Sequence, residues 1–213
     1  MLKYLLSRDE QLNLFSFIQK YDATDWKNIP DCMNPSPKTL DLMQDDHDGS
    51  SAARTVGIYP NNHDVVILLV KKAIDLVTSL RHQPIQSLSM AVIQYCPSGT
   101  SNNIGSCFPP HIDHCNDGSW VVLFSLGCTA LFQIRSPDMS HKETIKMESG
   151  DVLVFDPSSE AAVLHGVDDV IEESCNNSRW TGLGKQFEVL RYSRLGVQCR
   201  VTTKSQSSNR NIG

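Results

Sequence analysis

At 213 residues the chain is long enough to bury one sizeable hydrophobic core. Its 40% hydrophobic and 20% charged content excludes a disordered or fibrous chain. A formal net charge of -5 excludes a domain held to nucleic acid by bulk electrostatics, so any such partner would be gripped locally and transiently.

The chain starts with a helix signal. Ser7-Arg8-Asp9-Glu10 has the S-x-x-E form of a capping box, and Leu12, Phe15 and Ile18 then recur at helical spacing. The apolar stretch of MLKYLLSRDEQ is too short for a signal peptide. Residues 22–62 break the pattern with Pro30, Pro35, Pro37 and the polar run DDHDGSS, and read as a loop-rich, flap-like stretch. Trp26 and Tyr59 within it are candidate substrate contacts, because aromatic rings stack on exposed bases. A second helix is expected from about Asp64 to Leu80, presenting Val66, Leu69, Val70, Ala73, Ile74 and Val77. Its run VVILLV is far below membrane-spanning length, so the expectation is a protein with no membrane contact, cytoplasmic or nuclear.

After Pro84 short β-rich runs alternate with turn signals. They are LSMAVIQY (88–95), WVVLFSL (120–126), ALFQIR (130–135), ETIKM (143–147), DVLVF (151–155), AAVLH (161–165), FEVLR (187–191) and GVQCRV (196–201). Such spacing after two helices predicts a mainly β fold with flanking helices, two sheets packed as a jelly roll. Residues 168–193 read as a solvated, acidic link, and KSQSSNRNIG from Lys204 as a disordered tail. The expected organisation is one domain over 1–203, with helices and flap in 1–84 and a β-core in 85–203. The seven cysteines are scattered and form no C-x-x-C pair, which suggests neither structural zinc nor a disulfide framework, and fits a reducing compartment.

The chemistry is concentrated in FPPHIDHC at 108–115. On an extended segment His111 and Asp113 leave the same face, and His165 sits on a distant short apolar run. Two histidines and one carboxylate can hold one face of a metal octahedron and leave three positions open, the arrangement used by non-haem iron(II) oxygenases. A 2-oxo acid would take two of those positions and dioxygen the third. The second carboxylate of 2-oxoglutarate needs a cation, and a forked arginine suits it better than lysine. Arg194 and Arg200 in RLGVQCR share strand parity and are the candidates. His114 faces the other way on an extended segment, towards solvent or substrate.

The order of these features resembles the AlkB-type 2-oxoglutarate- and iron(II)-dependent dioxygenases. The matching residues are VIQY (92–95), HID (111–113), SLGCTALFQIR (125–135), SGDVLVF (149–155), LHGV (164–167) and RLGVQCR (194–200), the last similar to the family's R-x-N-x-T-x-R signature. The resemblance implies a double-stranded β-helix of the cupin-like kind, with iron(II) on His111, Asp113 and His165. It further implies that Tyr95 and Arg194 bind 2-oxoglutarate and that Arg200 lies by the metal-side carboxylate. The cosubstrates would be 2-oxoglutarate and O2, and the substrate an N-alkylated base in DNA or RNA, handled by a monomer. SGDVLVF is assigned structure, with Gly150 making a turn.

Four positions depart from the family pattern. Ile93, Gly196 and Gln198 stand where asparagine, asparagine and threonine are common, and Cys115 stands where repair members often carry an acidic base-reading residue. Two alternatives therefore stay open: an oxygenase acting on protein or a small molecule, and a catalytically silent relative used as a binding module.

Overall fold

The Ser7 box closes as its spacing demands: Ser7 Oγ accepts from Glu10 N–H and the Glu10 carboxylate accepts from Ser7 N–H. It starts α1 (Arg8–Ile18), which buries Leu14, Phe15, Phe17 and Ile18. A second helix, α2 (Asp64–Ile74), packs beside it, burying Val66, Leu69, Val70, Ala73 and Ile74 and ending earlier than its apolar pattern suggests. These positions belong to a computed structural model that describes residues 1–20, 26–28, 37–41, 64–98, 104–113, 119–138, 140–157, 161, 163–176 and 178–203. Tyr59, His114 and Cys115 lie outside the described residues. Among those described, no helix is long and apolar enough to cross a membrane.

The strands are β1 (Lys27–Asn28), β2 (Lys38–Asp41), β3 (Ile85–Tyr95), β4 (Phe108–His111), β5 (Ser119–Gly127), β6 (Ala130–Arg135), β7 (Lys142–Met147), β8 (Val152–Phe155), β9 (Leu164–Val170) and β10 (Arg194–Thr203). They form two antiparallel sheets, a major one in the order β1-β2-β3-β10-β5-β8 and a minor one in the order β4-β9-β6-β7. This is the expected double-stranded β-helix. The helices lie on the outer face of the major sheet, where Leu88, Met90, Val92, Val122, Phe124 and Leu126 join their core. A second core of Tyr95, Val121, Leu123, Phe132, Leu153 and Val167 fills the space between the sheets. The major sheet is thus buried on both faces, which is why β5 and β8 read as continuous apolar runs rather than alternating ones.

Several expectations are corrected. FEVLR is no strand: Lys185–Phe187 makes a 3₁₀ turn and α3 (Val189–Tyr192) a single helical turn, held by Ser193 Oγ donating to Val189 C=O at 2.7 Å. Its apolar residues serve burial, with Leu190 fully inside. The link at 168–193 is likewise more than solvated chain, because Trp180 is buried in the helix-side core. Part of the proline-rich stretch pairs as β2 on the edge of β3, a tertiary partner invisible to local pattern. Cys128 and Cys175 form a disulfide, because the β5–β6 turn and the segment after β9 meet through Ile171 N–H donating to Thr129 C=O. Cys199 is a buried free thiol.

The SGD turn has a structural job. Gly150 adopts φ +93°, a left-handed conformation open to glycine, and a Cβ there would meet Leu6 O at 2.9 Å. The fully buried Asp151 accepts from Lys3 Nζ at 2.6 Å, Tyr4 N–H at 2.9 Å and Glu148 N–H at 2.8 Å. One carboxylate therefore ties the N-terminal segment to the β7–β8 turn. Asp151→Ala strands two backbone donors and is expected to cost about 3 kcal/mol of unfolding free energy in urea denaturation.

Candidate active site

Gly166 controls how near β4 comes to β9. A Cβ on Gly166 would stand 2.5 Å from Phe108 O and 3.0 Å from Pro109 O, so only a residue without a side chain allows this approach. The approach makes His111 and His165 direct cross-strand partners, with ring centroids 4.5 Å apart. His165 lies at the start of β9 and not, as AAVLH suggested, at a strand end. Asp113 follows two residues beyond His111, with its carboxylate only 5% exposed.

Each imidazole is oriented by its own chain. His111 Nδ1 lies 3.0 Å from Pro109 O and His165 Nδ1 lies 3.1 Å from Val163 O. A carbonyl only accepts, so Nδ1 carries the proton in both rings and Nε2 presents its lone pair. Both lone pairs face the same carboxylate: His111 Nε2 is 3.8 Å from Asp113 Oδ1, and His165 Nε2 is 3.7 Å from Asp113 Oδ2. All three candidate ligand atoms lie within 4.8 Å of one another. Burial pushes the His165 pKa below its ordinary value against the opposing pull of Asp113, which keeps the ring neutral and able to ligate. Two imidazoles and a carboxylate suit a divalent first-row metal.

Behind the triad a pocket of about 390 Å³, counting its open mouth, runs between the sheets. Ile93, Val121, Leu123, Phe132, Phe155 and Val167 give it apolar walls. Phe155 meets His165 edge-on at 4.7 Å and Phe108 meets His111 edge-on at 4.4 Å, so aromatic side chains brace both rings. At the far side sits Arg194, 1% exposed, with its guanidinium 5.4 Å from the Tyr95 ring centroid. Its Nε and Nη2 have no hydrogen-bond partner, and no ion pair to a described carboxylate reaches it. An arginine stays protonated, so this is a buried cation in the pocket wall with no counter-ion among the described residues. A small carboxylate would match that guanidinium in charge and in hydrogen-bonding capacity.

The structure brings together most of the residues singled out from sequence. His111, Tyr95, His165 and Arg194 line one pocket, and Asp113 sits beside its two histidines. Arg200 reaches Asp113, donating from Nη2 to Oδ1 at 2.6 Å. Trp26 is half-buried against the helix-side core, which makes it a packing residue. Sequence reasoning missed Gln198, whose Nε2 donates to Asp113 Oδ2 at 2.9 Å, although its parity with Arg194 and Arg200 on one strand pointed inward. Gly196 makes room: a Cβ there would stand 2.9 Å from Arg194 Nη1.

A model of the 2OG-Fe(II) oxygenase superfamily matches residues 1–200. The fold is similar to that of OsALKBH1, with a TM-score of 0.67 at 23% identity, covering 93% of this chain and 95% of that one. It is also similar to an oxidoreductase of the 2OG-Fe(II) oxygenase family from Burkholderia pseudomallei, with a TM-score of 0.55 at 12% identity over 92% and 80% of the two chains. A prolyl-4-hydroxylase from Pseudomonas putida gives a TM-score of 0.53 at 12% identity over 94% and 90%. No curated protein matches the sequence. Gly166→Ala, by forcing β4 off β9, is expected to cost about 2 kcal/mol in thermal denaturation. It is also expected to abolish the rise in Tm that Mn(II) produces in the unaltered protein.

Proposed function

The chain belongs to the 2OG-Fe(II) oxygenase superfamily, and on that footing we propose an AlkB-like enzyme that oxidatively dealkylates N-alkylated bases in nucleic acid. It is a 2-oxoglutarate-dependent dioxygenase that uses iron(II) and O2. The observation that carries the site assignment is one pocket with the histidine–aspartate–histidine cluster at one end and, at the other, the Arg194 cation with no counter-ion among the described residues.

In this reading His111, Asp113 and His165 hold iron(II), Arg194 binds the distal carboxylate of 2-oxoglutarate, and Tyr95 lies against it. When bound, the metal supplies oxidation of a substrate C–H bond to an alcohol, coupled to conversion of 2-oxoglutarate to succinate and carbon dioxide. The chain's own part is electrostatic and steric. Arg194 meets the cosubstrate charge in a dry site, where a forked guanidinium–carboxylate pair is strong. Ile93, Leu123 and Phe155 cover the carbon backbone and exclude water. Ile93 and Gly196 leave this pocket with fewer polar contacts than the family pattern offers, which places more of the binding on Arg194.

The nucleobase assignment rests on the order of the HID, SGDVLVF, LHGV and R-x-x-x-x-x-R motifs. A hydroxylated N-alkyl carbon is a hemiaminal, which falls apart to an aldehyde and the free base. The test has two stages. Anaerobic iron(II) titration with 2-oxoglutarate is expected to produce the visible charge-transfer band of the chelate, absent in His165→Ala. In Arg194→Met the cosubstrate affinity is expected to fall about 100-fold, the loss of two charge-assisted hydrogen bonds worth about 3 kcal/mol together. Formaldehyde and succinate release is then measured with an N-methylated oligonucleotide and with a proline-containing peptide. Turnover of the peptide alone would move the substrate to protein. No band and no turnover would make the chain a binding module.

A further inference from the structure

Asp113 is held by two donors, one on each oxygen. Arg200 Nη2 donates to Oδ1 at 2.6 Å and Gln198 Nε2 donates to Oδ2 at 2.9 Å. Gln198 stands where the R-x-N-x-T-x-R pattern has threonine, and a threonine hydroxyl stops two bonds nearer the strand, about 2.5 Å short of the amide's reach. The glutamine contact is therefore a feature of this chain and not of the pattern it departs from.

We propose that Gln198 is a positioning residue that sets the plane of the metal-ligand carboxylate, an inference that rests on reading His111, Asp113 and His165 as the metal site. The χ2 torsion of an aspartate is a broad, nearly two-fold rotor, so one hydrogen bond pins an oxygen but leaves the plane free to swing. A second donor on the other oxygen removes that freedom. With both in place Oδ1 faces His111 Nε2 at 3.8 Å and Oδ2 faces His165 Nε2 at 3.7 Å, a carboxylate shared evenly between the two rings. β10 is a suitable base for this clamp. The strand is flanked on both edges, residues 198 and 200 lying opposite Ala91 and Ser89 on β3 and Leu123 and Val121 on β5. Two side chains two residues apart leave the same face of such a strand, so both long arms can reach one carboxylate. On this account the departure at 198 is a replacement contact, and it counts against the silent-module alternative.

The experiment measures Mn(II) binding by electron paramagnetic resonance, without 2-oxoglutarate and without oxygen, so that turnover does not enter. Gln198→Leu keeps the side chain's bulk and removes its donors. Gln198→Thr restores the family residue and guards against a misfolded leucine variant. Both are expected to bind Mn(II) about tenfold more weakly than the unaltered protein, as loss of an outer-shell partner does, with bound lines broadened by a carboxylate that no longer has one orientation. Asp113→Ala is expected to bind none. Native affinity and line width in both Gln198 variants would overturn the proposal while leaving the metal site intact. Failure of the unaltered protein to bind Mn(II) would instead overturn the metal-site reading, and the proposal with it.

Discussion

Strand β10 is hydrogen-bonded on both edges, to β3 and to β5, and its two faces are chemically incompatible. Leu195, Val197, Cys199 and Val201 are buried on the helix side. Arg194, Gly196, Gln198 and Arg200 alternate with them and face the interior between the sheets. Slippage by one residue would send two guanidinium groups under the helices and four apolar side chains into the pocket. The cost of burying unpaired cations in an apolar core is several kcal/mol each, so the register has no near competitor. Much of the site inherits its geometry from this constraint. Arg194 lies opposite Tyr95 and Gly127 in the ladder, while Gln198 and Arg200 fall where Asp113 comes in from β4.

The pocket's electrostatics follow from the same strand. At one end Asp113 is compensated by Arg200 and by the Gln198 amide, beside the two imidazoles that would complete a metal site. At the other, Arg194 is a cation with no counter-ion among the described residues. In an apolar cavity an uncompensated charge acts more strongly than in water, and an incoming anion is drawn towards Arg194. An unpaired buried arginine is a cost to folding, tolerated where a ligand is meant to remove it. Gly196 contributes by absence, since a side chain there would displace the guanidinium.

Local pattern carried the outline of the fold well where one strand or helix fills one face. The capping box, ALFQIR and the glycine turn of SGD all appear as read. It failed where an apolar segment is short. VLRY is one helical turn, because four or five apolar residues without a period satisfy helix and strand alike, and the burial of Leu190 decides between them. The Cys128–Cys175 bridge was equally hidden. Its partners are 47 residues apart and meet only because the β5–β6 turn touches the segment beyond β9.

The sequence by itself determined the chemical types of the site: two histidines and an aspartate able to hold a metal, and arginines of common parity on one strand. Side-chain alternation along a strand is a covalent property of the extended chain, so parity survives into the fold unchanged. Which groups finally touch depended on pairing between distant strands. Only the β4–β9 register, permitted by Gly166, sets His111 against His165. Only the arrival of Asp113 over β10 gives Arg200 and Gln198 a common carboxylate and leaves Arg194 alone. The Asp113 contacts cross from one sheet to the other, and no local periodicity encodes the distance between sheets.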